Sequence, residues 1–183
     1  MTIQYVIEEA LNLADESGTE AQSEYKEKII RAINHVQAKI SKFARPIRKY
    51  INLETEDQTI TMPEDFLSLV EITDASGAPL MYERVDTNKI KLQSDGTYRV
   101  CYNILLNDIP WNNGDVDLEM ELGIEKVAEQ CLIYGVAAEI CMDNEELYPI
   151  LQNEYNNLLV NLGVLDDIPS NGSSIVHIKG WWY

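Results

Sequence analysis

The chain has 183 residues, 45% of them hydrophobic and 25% charged, enough to bury a substantial core within a single domain. Its 31 acidic residues against 14 Lys and Arg leave a formal charge of −17. Such a surface repels phosphates, which argues against non-specific nucleic-acid binding. No apolar run reaches the eighteen residues of a membrane span, and Met1-Thr2-Ile3-Gln4 lacks the basic and apolar regions of a signal peptide.

Thr2 is the expected N-cap of a first helix, 2–16, whose apolar positions are Ile3, Val6, Ile7, Ala10, Leu11 and Ala14. Asp15-Glu16-Ser17-Gly18 breaks it. Thr19 and Gln22 have capping-box spacing, with Ser17 and Glu20 as an overlapping alternative. They open a long helix, 19–45, with Ala21, Tyr25, Ile29, Ala32, Ile33, Val36, Ile40 and Phe43 along one face. Pro46 ends it. Lys39, Lys42 and Arg45 follow at three-residue spacing near its end. Two readings of these cations compete: complementing the helix dipole, or pairing with an acidic neighbouring subunit.

From residue 49 to 121 the period changes to that of strands. Tyr50, Ile51 and Leu53, then Thr59 to Met62, read as a β-hairpin around residues 54–58. Pro63 stops the second strand. A further strand follows through Leu67, Leu69, Val70 and Ile72, then a turn at residues 75–79 and an apolar piece, Leu80-Met81-Tyr82. Residues 89–93 and 98–102 alternate cleanly around a turn at 94–97. This middle third is expected to be one small antiparallel sheet inserted between helices. Val116, Leu118 and Met120 alternate with acids and fit either a strand or an extended lead-in.

Two more helices are predicted, 123–142 and 145–162. The first carries Ile124, Val127, Ala128, Cys131, Leu132, Gly135, Ala138 and Met142 at helical spacing, and its middle is apolar all round, as in an enclosed helix. The second has a stripe of Leu147, Ile150, Leu151, Tyr155, Leu158, Leu159 and Leu162. Asp143 and Glu146 have capping-box spacing before it, Pro149 fits its first turn, and Gly163 is the expected C-cap. The fold class is thus α+β: a core of about four helices with the small antiparallel sheet inserted, within a single domain, 1–163, and a C-terminal tail, 164–183. That tail ends in Ile175-Val176-His177-Ile178 and Trp181-Trp182-Tyr183. It either folds back as an edge strand or docks on a partner, with tryptophans as anchors.

Charge is unevenly distributed. Residues 17–49 hold eight Lys and Arg against three Asp and Glu, while residues 50–75 hold seven acids and residues 101–123 hold five, with no base in either stretch. A basic element in an acidic protein invites pairing within the fold or with a second copy. Constellations for chemistry are few. Neither His35 nor His177 has a Ser/Asp arrangement around it, and there is no phosphate loop. Asn112, Asn113, Asp115 and Asp117 lack the glycine position and bidentate glutamate of a calcium loop. Cys101, Cys131 and Cys141 form no Cys-x-x-Cys pair. Cys131 and Cys141 lie about 15 Å apart along one helix, so buried, reduced thiols are expected. No metal, cofactor or catalytic residue is expected.

The element order, with Met62-Pro63-Glu64-Asp65-Phe66, Tyr98-Arg99-Val100-Cys101-Tyr102 and Tyr134 through Ala137-Ala138 to Met142-Asp143, resembles the head–tail connector (adaptor, neck) proteins of tailed bacteriophages over residues 2–162. The resemblance implies a structural protein rather than an enzyme. It implies a ring, typically of twelve copies, under the portal protein of the virion neck and assembled in the host cytoplasm. Tail or stopper proteins bind below it, and DNA passes through the channel without specific binding. On that reading Ile175, Val176, His177, Ile178, Trp181, Trp182 and Tyr183 are portal-docking candidates. Lys39, Lys42 and Arg45 are subunit-interface candidates. Glu54, Glu56, Asp57, Asp115, Asp117, Glu119 and Glu121 are channel-lining candidates. A head-completion stopper or tail-completion ring is the alternative of the same class, and an acidic DNA-mimic inhibitor that of another.

Overall fold

Thr2 caps the first helix as its position dictates: its Oγ1 accepts from the Tyr5 amide at 3.3 Å, and α1 runs Ile3–Leu13. In the computed structural model of the chain, residues 1–15, 19–111 and 116–165 are described. The other orphan amides of α1 are met by a distant segment. Ile3 N–H donates to Met120 O at 3.1 Å and Gln4 N–H to Leu118 O at 2.9 Å, while Leu122 N–H donates to Met1 O at 2.9 Å. Residues 116–122 are therefore the extended lead-in of the two options. Their carbonyls complete a helix N-terminus that would otherwise be unsatisfied.

The second helix, α2, spans Thr19–Lys39 and passes directly into a π-helical turn, Ile40–Ala44. Arg45 N–H closes that turn on Ile40 O, five residues back, at 2.8 Å. The wider turn explains a departure from the predicted face. Ile29, Ile33, Val36 and Ile40 are buried, but the next buried apolar residue is Ala44, and Phe43 is 78% exposed. A π-turn inserts an extra residue, so the apolar face resumes one position later than a 3.6-residue period requires.

The third helix, α3, spans Glu129–Ile140 behind a 3₁₀ turn, Lys126–Ala128, and so begins later than predicted. Its apolar-all-round middle is enclosed as expected: Cys131, Leu132, Ile133, Val136, Ala137 and Ala138 are all buried. It packs against α1, α2 and the fourth helix, α4, Leu147–Leu165. Each fully buried aliphatic side chain of this kind contributes about 1.5–3 kcal/mol. Val127 and Met142, at the two ends of the predicted face, are exposed because the regular helix does not reach them.

Two terminal signals of α4 differ from expectation. Asn144, not Asp143, is the cap: its Oδ1 accepts from the Glu146 and Leu147 amides at 3.1 and 3.0 Å. Gly163 lies inside the helix, which continues to Leu165. Ile150 is 66% exposed, outside the buried stripe of Leu151, Tyr155 and Leu162.

Between α2 and α3 the chain builds six strands: β1 Ile47–Glu54, β2 Thr59–Thr61, β3 Phe66–Thr73, β4 Glu83–Arg84, β5 Lys89–Lys91 and β6 Thr97–Ile104. They form two antiparallel sheets rather than one, in the orders β1-β6-β3 and β2-β5-β4. Of the predicted β1–β2 hairpin only the turn is made, where Glu56 and Thr59 exchange two backbone hydrogen bonds of 2.9 Å; β1 itself pairs along its whole length with β6, from Ile47 opposite Ile104 to Glu54 opposite Thr97. Left-handed backbone at Asp57 (φ 51°) and Gln58 (φ 60°) carries the chain from one sheet to the other. Leu80, Met81 and Tyr82 form no strand.

Ile60, Met62, Ile72, Ile90, Leu92, Tyr98, Val100 and Tyr102, drawn from both sheets, form a hydrophobic cluster of their own, separate from that of the helices. The expectation of one core thus gives way to two. The return segment is clasped to α2: Asn34 both donates to Ile109 O (3.0 Å) and accepts from Ile109 N–H (2.8 Å), and Gln37 donates to Asn107 O at 3.2 Å.

Candidate interaction surfaces

Lys28, Arg31, His35 and Lys39 recur along α2 in steps of three and four that hold them along one side of the helix, and Lys42 follows in the π-turn. Several meet the end of α3. Lys28 Nζ donates to Ile140 O at 2.9 Å, satisfying a carbonyl of the last turn. His35 Nδ1 lies 2.5 Å from Glu139 Oε1, and Lys39 Nζ lies 3.9 Å from the same oxygen. Arg31 pairs with Glu27 one turn back. Lys28, Arg31 and His35, together with Glu27, Ala32 and Glu139, line an open groove of about 620 Å³ between α2 and the end of α3, with Met142 at its rim.

Of the three predicted interface cations, two are engaged within the protomer. Lys39 faces Glu139, and Arg45 Nε donates to Glu125 Oε2 at 2.8 Å. Lys42 is exposed. The helix-dipole reading captured the position of these residues but not their partners, which are acids of the α3 region more than seventy residues away.

The acidic channel-lining candidates fall in two places. Glu54, Glu56 and Asp57 are exposed at the end of β1 and the passage to β2. Asp95 joins them, its Oδ1 accepting from Gln58 N–H at 2.6 Å. Asp117, Glu119 and Glu121 are exposed along the lead-in beside α1. Asp115 lies outside the described residues. So do Ile175, Val176, His177, Ile178, Trp181, Trp182 and Tyr183 with the rest of the proposed tail from residue 166 on, its first two predicted residues, 164 and 165, belonging to α4.

Pattern reading missed a polar cluster at the base of the β module. Asp65, from the Met62-Pro63-Glu64-Asp65-Phe66 segment, accepts from the fully buried Tyr102 hydroxyl and from Lys49 Nζ, each at 2.9 Å. Its backbone carbonyl accepts from Leu105 N–H. The hydrogen bond from Lys49 holds the Asp65 carboxyl below the usual carboxylate range, and burial together with Asp65 raises the Tyr102 hydroxyl. The signal available in sequence was a pair of acids, Glu64-Asp65, before a strand, with nothing to indicate Tyr102 as a partner.

A pH dependence follows. A carboxyl with a depressed folded pKa contributes stability that is present above its unfolded pKa of about 4 and lost as pH falls through the lower folded value. Asp65→Ala is expected to cost about 1–3 kcal/mol at pH 7, mainly by stranding the Tyr102 hydroxyl. The part of that deficit owed to the carboxylate charge should shrink below pH 4. Urea melts of both proteins between pH 7 and 3 measure it; a deficit constant with pH would remove the ionic contribution.

The cysteines are buried as expected, and burial pushes the Cys131 thiol up to about 12, an inert group at neutral pH. Among the described residues, no group of three or more His, Cys, Asp or Glu side chains is placed to hold a metal ion.

Comparison with known proteins gives no relative: no family model matches the chain, and no curated protein matches it.

Proposed function

We propose that the protein is a structural head–tail connector of a tailed bacteriophage, a ring subunit that sits under the portal, extends the DNA channel and links capsid to tail. The observation that carries this reading is the element order, on which the resemblance rests. A short helix and a long basic-edged helix precede a single β excursion, and an enclosed helix and its amphipathic partner follow. The charge distribution supports it as well. Exposed acids at residues 54–57 and 117–121 suit a channel wall that DNA slides past, because they offer no cation to hold a phosphate. Segregated basic and acidic surfaces suit a head-to-tail ring, in which one surface meets a different one on the next copy.

The test is electron microscopy and co-sedimentation of the full chain with portal rings. The expected result is a second ring stacked on the portal. A variant lacking residues 174–183 is expected to keep its melting temperature and lose portal binding. Binding unchanged by that deletion removes the docking role of the tail, and failure of the full chain to bind removes the connector reading.

A further inference from the structure

The two edges of the sheet β1-β6-β3 are not alike. The β3 edge is blunted. Its register with β6 is broken in two places, and the chain beyond it folds back along its outer side, where Leu80 N–H donates to Ile72 O at 2.9 Å and Pro79 bridges to Thr73. The β1 edge has neither protection. Its eight residues run opposite β6 without a bulge, and among the described residues no other strand lies beside it. An unbroken, uncovered edge is a template for another strand.

Backbone geometry decides which groups face outward, because residues of an antiparallel strand alternate between bonding to the neighbour and turning away from it. Thr55 N–H donates to Gly96 O at 3.0 Å, and Leu105 N–H turns to the β3 side, to Asp65 O at 2.8 Å. Both set the odd-numbered residues of β1 against β6. The N–H and C=O groups of Arg48, Tyr50, Asn52 and Glu54 therefore point away from the sheet, and among the described residues they have no backbone partner. All four residues are exposed. The free stretch is bounded on both sides: Pro46 has no N–H to give, and Glu56, the next outward residue, exchanges both backbone bonds with Thr59.

Charge changes sign along this stretch. Arg48 stands at one end and Glu54 at the other, and neither makes an ion pair among the described residues. Between them Tyr50, 53% exposed, carries the Arg99 guanidinium 4.8 Å from its ring centre. Lys49 belongs to the opposite face and is already paired with Asp65. On that face Ile51 and Leu53 are only partly buried, although Val100 and Tyr98 opposite them on β6 are buried. The apolar layer under the sheet thus stops short of β1.

We infer that the β1 edge pairs with the β1 edge of a second copy of this chain, antiparallel about Ile51. In that register Arg48 of each copy lies opposite Glu54 of the other, Tyr50 opposite Asn52, and Ile51 opposite Ile51. Every outward N–H and C=O gains a partner, opposite charges meet at both ends, and Ile51 and Leu53 lose their open flank. A parallel pairing would set Arg48 beside Arg48. A shift of two residues fails in either direction: one puts Glu54 opposite Pro46, and the other needs the Glu56 backbone that Thr59 holds. The contact is isologous and closes at two copies. It is independent of the connector reading, whose ring needs a head-to-tail contact elsewhere on the surface.

Sedimentation velocity of the full chain is expected to show a monomer–dimer equilibrium at about 0.1 M salt, where repulsion between two chains of charge −17 is screened beyond about 10 Å. Hydrogen exchange at the Tyr50, Asn52 and Glu54 amides is expected to slow as concentration rises. Asn52→Pro removes an outward N–H and none of those bonded to β6. It is expected to abolish the dimer while circular dichroism and the melting temperature of dilute, monomeric protein stay unchanged. Arg48→Glu and Glu54→Arg each set like charges opposite one another at both ends, and each is expected to raise the dimer dissociation constant about tenfold or more. The double variant restores opposite charges and is expected to return to the wild-type value. These two side chains are exposed, so the charge variants test the contact even where proline disturbs folding. A wild-type chain that stays monomeric, a folded Asn52→Pro chain that still dimerises, or a double variant no tighter than the single ones overturns the inference. So does protection of the same amides in the monomer, which would mean that another part of the chain already covers the edge. Dimerisation and portal binding are read in separate assays, so either reading can fail without the other.

Discussion

Gly135→Leu is expected to destabilise the protein by about 3 kcal/mol or more. Gly135 sits mid-way along α3, where α2 and α4 press on it from two sides. A Cβ there would lie 2.6 Å from Val36 Cγ1 and 2.8 Å from Tyr155 Cε2. Val36 is fully buried and stiff about χ1, and the Tyr155 ring is 4% exposed. Neither neighbour can swing into solvent. Alanine separates the competing effects. In a helix interior it gains about 1 kcal/mol over glycine, but overpacking a filled core costs about 1–3 kcal/mol. The expected net loss for Gly135→Ala is thus small, about 0–2 kcal/mol. Leucine adds three more carbons with no further compensation, and a loss of about 3 kcal/mol or more is expected. Gly123 is the control: its added Cβ would meet only the Leu106 side-chain end, at 2.9 Å, which can rotate. Thermal melts of the three variants check the order; a Gly135→Leu protein as stable as Gly123→Ala would mean that α3 is not clamped as described.

The second large effect is at Tyr155, the residue through which α4 grips α3. Its ring is buried, and its hydroxyl oxygen has no hydrogen-bond partner among the described residues. Burial raises its pKa, so the group stays neutral and the cost is that of an unpaired hydroxyl alone. Removing the ring is expected to be severe: Tyr155→Ala should cost about 3–5 kcal/mol, as for other large aromatic truncations in cores. Removing only the hydroxyl reverses the sign. Tyr155→Phe should gain about 1 kcal/mol, a rise of about 2–4 °C in Tm for a chain of this size. A fall in Tm on Tyr155→Phe would show that the hydroxyl has a partner.

The helices were largely legible because their signals are local. Thr2 caps the residue three ahead of it, and the apolar surround of α3 marks burial whatever its neighbours are. The strands were legible as strands for the same reason, but their partners were not. Alternation says which residues share a face and nothing about which strand lies alongside. The long β1–β6 ladder joins residues some fifty positions apart, while the local hairpin that the residues after Leu53 resemble closes only at Glu56 and Thr59. Local rules also failed where one inserted residue changes the count, as at the π-turn that exposes Phe43. Where two adjacent residues could serve, as with Asp143 and Asn144, geometry chose the one that reaches both amides. At the surfaces, the cations of α2 were visible, and so were the acids of the β module. Their partners within the protomer, Glu139 and Glu125, come from the far end of the chain and carry no short-range mark.

One consequence of the pairing of Ile47 with Ile104 concerns how force moves through the molecule. The chain leaves the helices and returns to them through two residues about 5 Å apart. The β module is therefore a lever on a narrow stem. A push on its acidic tip reaches the helices through that stem, through Arg45 on Glu125, and through the clasp that Asn34 and Gln37 make on residues 107–109. Most of these attachments sit on α2, or immediately after it, along the stretch that carries the basic groove. Load on the tip is thus delivered to α2 and the turn that follows it.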